Sequence, residues 1–278
     1  VSTVGELLAA EATLPGASDT PRLDAELLLA HCLGTPRSHL YAHPEKIVPP
    51  GPAARFWELA RRCRQGEPVA YLRGQRAFWT LEIKTDPRAL VPRPETELLV
   101  SAALERLPRS CRGYAADLGT GSGAIALALT KERPALKMLA TDISGRALAL
   151  AAENRRRLGC DSLHLARGSW CAPLAKNSFS LVVANPPYLA EDDPVLGVVP
   201  LCLEPREALA AGADGLAAIR AMIPEVHQCL IAGGLFLVEH APQQAGAVRH
   251  MLEQHGYRGI ETLRDLGGQP RAAAGRRR

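Results

Sequence analysis

Asn185, Pro186, Pro187 and Tyr188 form the stretch of this 278-residue chain whose chemistry is least like that of an ordinary loop. Two consecutive prolines remove two backbone donors and hold φ near about −65°, so the Pro186 carbonyl sits on stiff backbone. The Asn185 side-chain oxygen is a second acceptor, and Tyr188 adds a flat apolar face with a polar tip. Two acceptors and a stacking ring suit a planar NH2 group carried on an sp2 carbon, either a carboxamide or the exocyclic amine of a base. The competing reading is a turn that merely closes a strand, because Asn-Pro is common in turns.

A second cluster precedes it. Gly119, Gly121 and Gly123, with Thr120 and Ser122 between them, let the backbone turn tightly and bring helix N–H groups toward a bound molecule. With Ala124 the run also satisfies Gly-x-Gly-x-x-Ala, so the glycines alone admit a dinucleotide. Asp142, at the end of the next strand, is placed to bind both hydroxyls of a ribose. Asp117 stands directly before the turn, where a carboxylate repels a pyrophosphate but tolerates a sulfonium and an ammonium. That favours S-adenosylmethionine. Trp170 is placed to cover an adenine, a core position being the alternative.

The elements that must hold these residues follow from periodicity. Tyr114–Leu118, Leu136–Thr141, Leu163–Arg167, Phe179–Ala184 and Gly234–Glu239 read as strands, separated by helices over about 124–131, 144–158 and 216–230 and followed by one over 243–255. Such alternation predicts an α/β fold, a doubly wound and mostly parallel sheet with helices on both faces. Ligands bind such sheets beyond the carboxyl ends of the strands, which is where Asn185 falls. Residues 1–73 read as a small helical bundle, with a Thr3–Glu6 capping box, a Thr20-Pro21 helix start ending at Gly34, and a helix from Pro52 to Gln65. Residues 74–93 read as a linking β-hairpin with strands at Phe78–Thr85 and Ala89–Val91 turning at Asp86-Pro87. Residues 94–278 form the remaining domain, entered through a stiff segment, Pro92–Glu97, that opens a helix.

Composition narrows the class. The net charge is +4, and Arg271, Arg276, Arg277 and Arg278 supply four positive charges at the very end, so the body is near neutral. A protein that grips nucleic acid through many phosphates is not expected from that balance, and the arginine tail reads as a solvated, disordered end. Seven scattered cysteines without a Cys-x-x-Cys pair fit reduced thiols in a cytoplasmic protein, and the eight histidines show no metal-binding spacing. No apolar run approaches about 18 residues, so no membrane association is expected.

The run Asp117-Leu-Gly-Thr-Gly-Ser-Gly-Ala-Ile-Ala126 followed by Asn185-Pro-Pro-Tyr188 resembles class I S-adenosylmethionine-dependent methyltransferases that act on planar amino nitrogens. Glu67–Gly74, Phe78-Trp79, Val91–Glu97, Glu204-Pro205, Ala208-Leu209, Gly212-x-Asp-Gly215 and Glu239-His240 extend the likeness, over nearly the whole chain, to the HemK/PrmC family. That resemblance implies methylation of the side-chain nitrogen of the glutamine in the Gly-Gly-Gln loop of class I peptide-chain release factors, leaving S-adenosylhomocysteine and needing no metal. It places the donor against Gly119–Gly123, Asp142, Trp170 and Asn185, and the substrate amide against Asn185, Pro186, Pro187 and Tyr188. It further implies a seven-stranded sheet with an antiparallel hairpin at its edge and a bundle that helps to dock the release factor. Ser169 departs from the family, where an acid is common, and Ala241-Pro242 follows Glu239-His240 where a glycine is usual. An N6-adenine DNA or N2-guanine RNA methyltransferase is the competing function, and it would need a basic groove that the near-neutral body does not provide. The chain's own Gly267-Gly268-Gln269 reads as coincidence.

Overall fold

The computed structural model describes residues 2–12 and 20–278; residues 13–19, part of the expected 1–73 bundle, lie outside the described residues. The chain divides into two compact units, Val1–Gln75 with Gly197–Glu204, and Arg76–Leu196 with Pro205–Arg278.

The first unit is helical: α1 (Val4–Ala12), α2 (Pro21–Leu33), α3 (Arg37–Ala42), α4 (Pro50–Arg64) and α5 (Val69–Arg73). The capping box forms, with the Thr3 N–H donating to Glu6 Oε2 at 2.8 Å and the Glu6 N–H to Thr3 Oγ1 at 3.2 Å. Thr20 occupies the cap position of α2 but makes no side-chain capping bond; Pro21 at the first turn and Gly34 at φ 65° mark the ends of that helix. The helix expected from Pro52 starts at Pro50, because Pro49 and Pro50 already supply the fixed φ of a first turn. Leu28, Leu29, Leu40 and Phe56 form its buried centre.

The second unit opens on the hairpin β1 (Gln75–Phe78) and β2 (Leu81–Lys84), whose turn falls at Trp79 and Thr80. The expected hairpin, turning at Asp86-Pro87 with a returning strand at Ala89–Val91, is thereby corrected. Trp79 takes φ 55°, an unusual conformation for a bulky residue, and is held there by two carboxylates. Its backbone N–H donates to Glu97 Oε1 and its indole N–H to Glu132 Oε1, each at 2.8 Å. No local pattern reveals those distant partners.

After α6 (Glu97–Arg106) come β3 (Gly113–Leu118), α7 (Ala124–Glu132), β4 (Leu136–Asp142), α8 (Gly145–Arg157), β5 (Leu163–Arg167), β6 (Phe179–Ala184), α9 (Ala217–Cys229), β7 (Leu230–Glu239), α10 (Ala245–Gln254), β8 (Tyr257–Arg264) and β9 (Pro270–Arg277). The seven-stranded sheet runs β5-β4-β3-β6-β7-β9-β8; all pairs are parallel except the two made by β9. Central strands are buried on both faces. Leu181 and Val183 of β6 enter one apolar cluster and Val182 and Ala184 the other, as alternation along a strand requires, while Phe179 joins the second because the register with β7 shifts between it and Leu181.

The arginine tail is not a disordered end. Ala272, Ala273 and Ala274 are buried in β9 between β7 and β8, with Ala273 opposite Val238. Arg276 donates to the Gly233 carbonyl at 2.9 Å, and Arg277 bonds Asn177 and the Leu230 carbonyl. A triple alanine flanked by arginines carries little β-propensity of its own; pairing with β7 decides it. Gly267-Gly268-Gln269 lies in the exposed β8–β9 turn, where the Gln269 N–H donates to Asp265 at 2.9 Å.

Candidate active site

Register puts the chemistry in one row. Leu118 stands opposite Thr141 on one side and Ala184 on the other, and Ala184 stands opposite Val238. The residues that follow, Asp142, Gly119, Asn185 and Glu239, therefore stand at one level along the carboxyl edge. The chain builds β3, β4 and β5 outward and then returns to place β6 on the far side of β3, so Gly119 and Asn185 flank the switch point of the sheet.

A cavity opens there. Of the residues expected at the site, Gly119, Thr120, Gly121, Ser122, Asp142, Trp170, Asn185 and Pro187 line it, whereas Gly123, Pro186 and Tyr188 do not. Gly123 sits at the amino end of α7 with φ 87°, and a Cβ there would meet Leu127 Cδ1 at 3.2 Å and Ala151 Cβ at 3.3 Å. Its glycine serves backbone conformation and the packing of α7 on α8. Pro186 is buried, and among the described residues no donor reaches its carbonyl. Tyr188 donates its hydroxyl to Glu239 Oε1 at 3.2 Å, and burial, then the charge of Glu239, pushes its pKa up.

Asp142 spends one lone pair of each oxygen on backbone, Oδ2 on the Gly121 N–H at 2.9 Å and Oδ1 on the Ser144 N–H at 2.8 Å. A second lone pair remains on each oxygen for a hydroxyl. Burial raises its pKa and nearby Glu207 adds to that, against the backbone N–H donors. Trp170 stands at φ 42° with its carbonyl held by the Thr141 hydroxyl at 3.2 Å. Strain of this kind persists only where the surroundings fix it.

Asp117 has a different part from the one its position suggests. It is fully buried, does not line the cavity, and accepts from the Thr120 hydroxyl at 2.6 Å and the Ala126 N–H at 3.2 Å. It therefore braces the glycine turn from behind. Burial pushes its carboxyl up to about 7 despite those two donors. Asn154, wholly buried on α8, clamps the same turn: it donates to the carbonyls of Ser122 (2.9 Å) and Lys84 (3.0 Å) and accepts the Lys84 N–H (2.8 Å).

The chain leaving Tyr188 is strapped down. Leu189 donates to the Leu209 carbonyl and accepts from Ala211, each at 2.9 Å, and Gln244 donates to the Tyr188 carbonyl at 2.9 Å. Gly215 explains its own motif, since a Cβ there would fall 2.3 Å from the Tyr188 carbonyl oxygen.

Several lining residues were not assigned to the site from the sequence: Phe78, Arg93, Thr96, Pro205 and Glu207. The stiff Pro92–Glu97 segment carried a hint, because a fixed backbone bearing charges is a plausible wall as well as a helix entry. Thr96 proves the most telling. It is 4% exposed and accepts the Asn185 side-chain N–H at 3.0 Å, which leaves Asn185 Oδ1 without a partner among the described residues. Glu239, 1% exposed, completes the group; burial pushes it up to about 7 against the Thr96 and Tyr188 hydroxyls.

The residues fit S-adenosylmethionine: a turn that needs glycine at position 119 for its φ of 68°, a carboxylate with spare lone pairs, and an aromatic wall. Among the described residues no cluster of three His, Cys, Asp or Glu side chains is grouped as a metal site, and no helix is long and apolar enough to cross a membrane. Solved structures of the same fold include ribosomal protein L11 methylase from Lactobacillus delbrueckii subsp. bulgaricus (TM-score 0.52, 23% identity, 70% of this chain and 85% of that one). Another is a methyltransferase from Pyrococcus furiosus (TM-score 0.55, 17% identity, 72% and 91%). The fold is that of the class I methyltransferases, with the cavity at its switch point.

The PrmC N-terminal domain family matches residues 7–74, and the methyltransferase small domain family matches residues 95–212. Curated relatives named release factor glutamine methyltransferase include those of Pseudomonas aeruginosa (44% identical, 93% of both chains), Coxiella burnetii (43%, 94% of this chain and 93% of that one) and Escherichia coli (42%, 94% of both). The chain belongs to the release factor glutamine methyltransferase family.

Proposed function

We propose that this protein transfers the methyl group of S-adenosylmethionine to the side-chain amide nitrogen of the glutamine in the Gly-Gly-Gln loop of class I peptide-chain release factors, acting in the cytoplasm and without binding nucleic acid directly. The observation that carries the reading is Asn185: its amide nitrogen is committed to Thr96, and its oxygen remains available at the switch point beside the glycine turn. An acceptor there suits an N–H donor, and the relatives that share nearly the whole length are named for a glutamine substrate.

An amide nitrogen is a poor nucleophile because its lone pair is delocalised into the carbonyl. Bound S-adenosylmethionine supplies an electrophilic methyl group on a sulfonium. Asn185 Oδ1 accepts one N–H of the glutamine amide, orienting the nitrogen and favouring its pyramidalisation, whereas Pro186, expected as the second acceptor, is buried off the cavity lining and contributes backbone stiffness. That oxygen also stabilises the positive charge that grows on nitrogen, so no strong base is needed beforehand, and the nitrogen gives up one proton to solvent after the transfer. Pro187 and Tyr188 contribute stiffness and shape. Gly119–Ser122, Asp142 and Trp170 hold the donor. In this reading the helical unit, residues 1–73, helps to dock the release factor, residues 74–93 link it, and residues 94–278 are catalytic.

Transfer of labelled methyl to a release factor, to its loop Gln→Ala variant, and to DNA and RNA in parallel tests the proposal. Label on the parent factor and none on the variant is expected. Label on adenine or guanine instead would support the nucleic-acid reading, which the near-neutral body disfavours.

A further inference from the structure

We propose that Glu239 and Thr96 are positioning residues that decide which end of the Asn185 carboxamide is presented to the reacting amide; the proposal rests on the glutamine reading above. A carboxamide is nearly symmetric in shape, so sterics alone do not stop it from turning over and offering NH2 where an oxygen is needed. Turned over, Asn185 would meet a substrate N–H with another donor. Something must forbid that state, and the site contains a device for it.

The only side chain bonded to the Asn185 amide among the described residues is the Thr96 hydroxyl, at 3.0 Å from Nδ2. A hydroxyl by itself selects nothing, since it can accept from NH2 or donate to C=O. Selection requires that its single proton be committed elsewhere. The acceptor the proposal assigns to it is Glu239. It stands at the end of β7, level with Asn185 across the β6–β7 pair, and is 1% exposed. Its Oε1 accepts the Tyr188 hydroxyl at 3.2 Å, while its Oε2 is buried and has no hydrogen-bond partner among the described residues. The Thr96 hydroxyl, bonded to Asn185 at the same level of the sheet edge, holds the Glu239 carboxyl down against burial, as the Tyr188 hydroxyl does. A buried carboxylate oxygen left unpaired is costly, so the Thr96 proton belongs on it.

The direction of the chain then follows. Thr96 donates to Glu239, its oxygen is left as an acceptor only, and Asn185 can satisfy it with NH2 alone. Oδ1 is thereby fixed as the free end. Glu239 thus acts on the reaction through two intervening bonds, and through Tyr188 it stiffens the second half of the same four-residue stretch. Neither Glu239 nor Thr96 need touch the reacting atoms.

The test is a set of kinetic comparisons with release factor as substrate, each variant first checked for folding by thermal melting. Thr96→Val, which keeps shape and removes the hydroxyl, is expected to lower kcat about tenfold, the effect of one lost orienting hydrogen bond. Thr96→Ser, which restores the hydroxyl, is expected to stay within about threefold of the parent. Glu239→Leu, which removes both acceptor oxygens, is expected to lower kcat by a factor similar to that of Thr96→Val. The deciding measurement is a double-mutant cycle: in an Asn185→Ala background, Thr96→Val is expected to cost less than about twofold, because it acts through a side chain no longer present. Equal losses in both backgrounds, or a folded Thr96→Val enzyme with parental kcat, overturn the positioning role while leaving the glutamine reading intact. If Thr96→Val does not fold, parental kcat in a folded Glu239→Leu enzyme overturns it instead. A parent protein that transfers no methyl to the release factor sinks the glutamine reading, and this proposal with it.

Discussion

The Gly121 backbone N–H donates to Asp142 Oδ2 at 2.9 Å, so the residue expected to hold a ribose also fixes the glycine turn beside it. Its other oxygen is held by the Ser144 N–H at the start of α8. Asp142→Asn replaces one of these acceptors by a donor that must then face an N–H group. The affinity for S-adenosylmethionine, measured by calorimetry, is expected to fall at least about tenfold, the cost of one mispaired polar group. Unchanged affinity would remove Asp142 from the donor site.

Asn185→Ala deletes the acceptor with no partner of its own. Turnover on release factor is expected to drop at least about a hundredfold, comparable to losing one oriented polar group at a transition state. A folded variant within a few-fold of the parent would exclude Asn185 from the chemistry.

Gly123 separates conformation from binding. Gly123→Ala forces a Cβ onto a residue at φ 87° and within 3.2 Å of Leu127 Cδ1, so it is expected to cost about 1–3 kcal/mol in thermal or denaturant unfolding. Because Gly123 is off the cavity lining, donor affinity in the folded variant is expected to change less than about twofold, well below one hydrogen bond. A large loss of affinity with unchanged stability would restore Gly123 to the donor site.

Asp117 gives the molecule a pH signature. Its carboxyl is pushed up to about 7 by burial, whereas in the unfolded chain it titrates near about 3.9. The folded state holds that proton more tightly, so its contribution to stability is fully present below the unfolded value and is lost as pH rises through about 7, by at most about 1.4 kcal/mol per pH unit. Glu239, also raised to about 7, works in the same direction. Between pH 4.5 and 7 the melting temperature of Asp117→Asn is therefore expected to decline less than that of the parent. Parallel declines would place the titration elsewhere.

Much of the fold was legible because periodicity and punctuation agree along the chain. β5 and β6 carry unbroken apolar or alternating runs, Ser144 caps α8 with its side chain accepting the Ala147 N–H, and Pro-Pro ends β6 abruptly. Hydrophobic alternation and cap chemistry are local, so they can be read without knowing neighbours. The same holds for the carboxyl-edge residues, since Gly119, Asp142 and Asn185 each follow a recognisable strand. Where a conformation depends on a distant partner, reading by pattern goes astray. Trp79 turns the hairpin because Glu97 and Glu132 receive its two N–H groups, and the arginine-flanked alanines become a buried strand because β7 offers them an edge.

The sequence by itself determined the order of strands and helices from β3 to α10, the donor turn, and the four-residue stretch that names the reaction class, because composition and spacing encode backbone conformation and chemical type. Only the tertiary structure decided which atoms face the cavity. It turned Asp117 and Gly123 away from the cavity and committed the Asn185 amide nitrogen to Thr96. It also set Glu239 beside Tyr188, 51 residues away along the chain. Hydrogen-bond direction and burial arise from neighbours brought together across the sheet, and no stretch of chain read alone contains them.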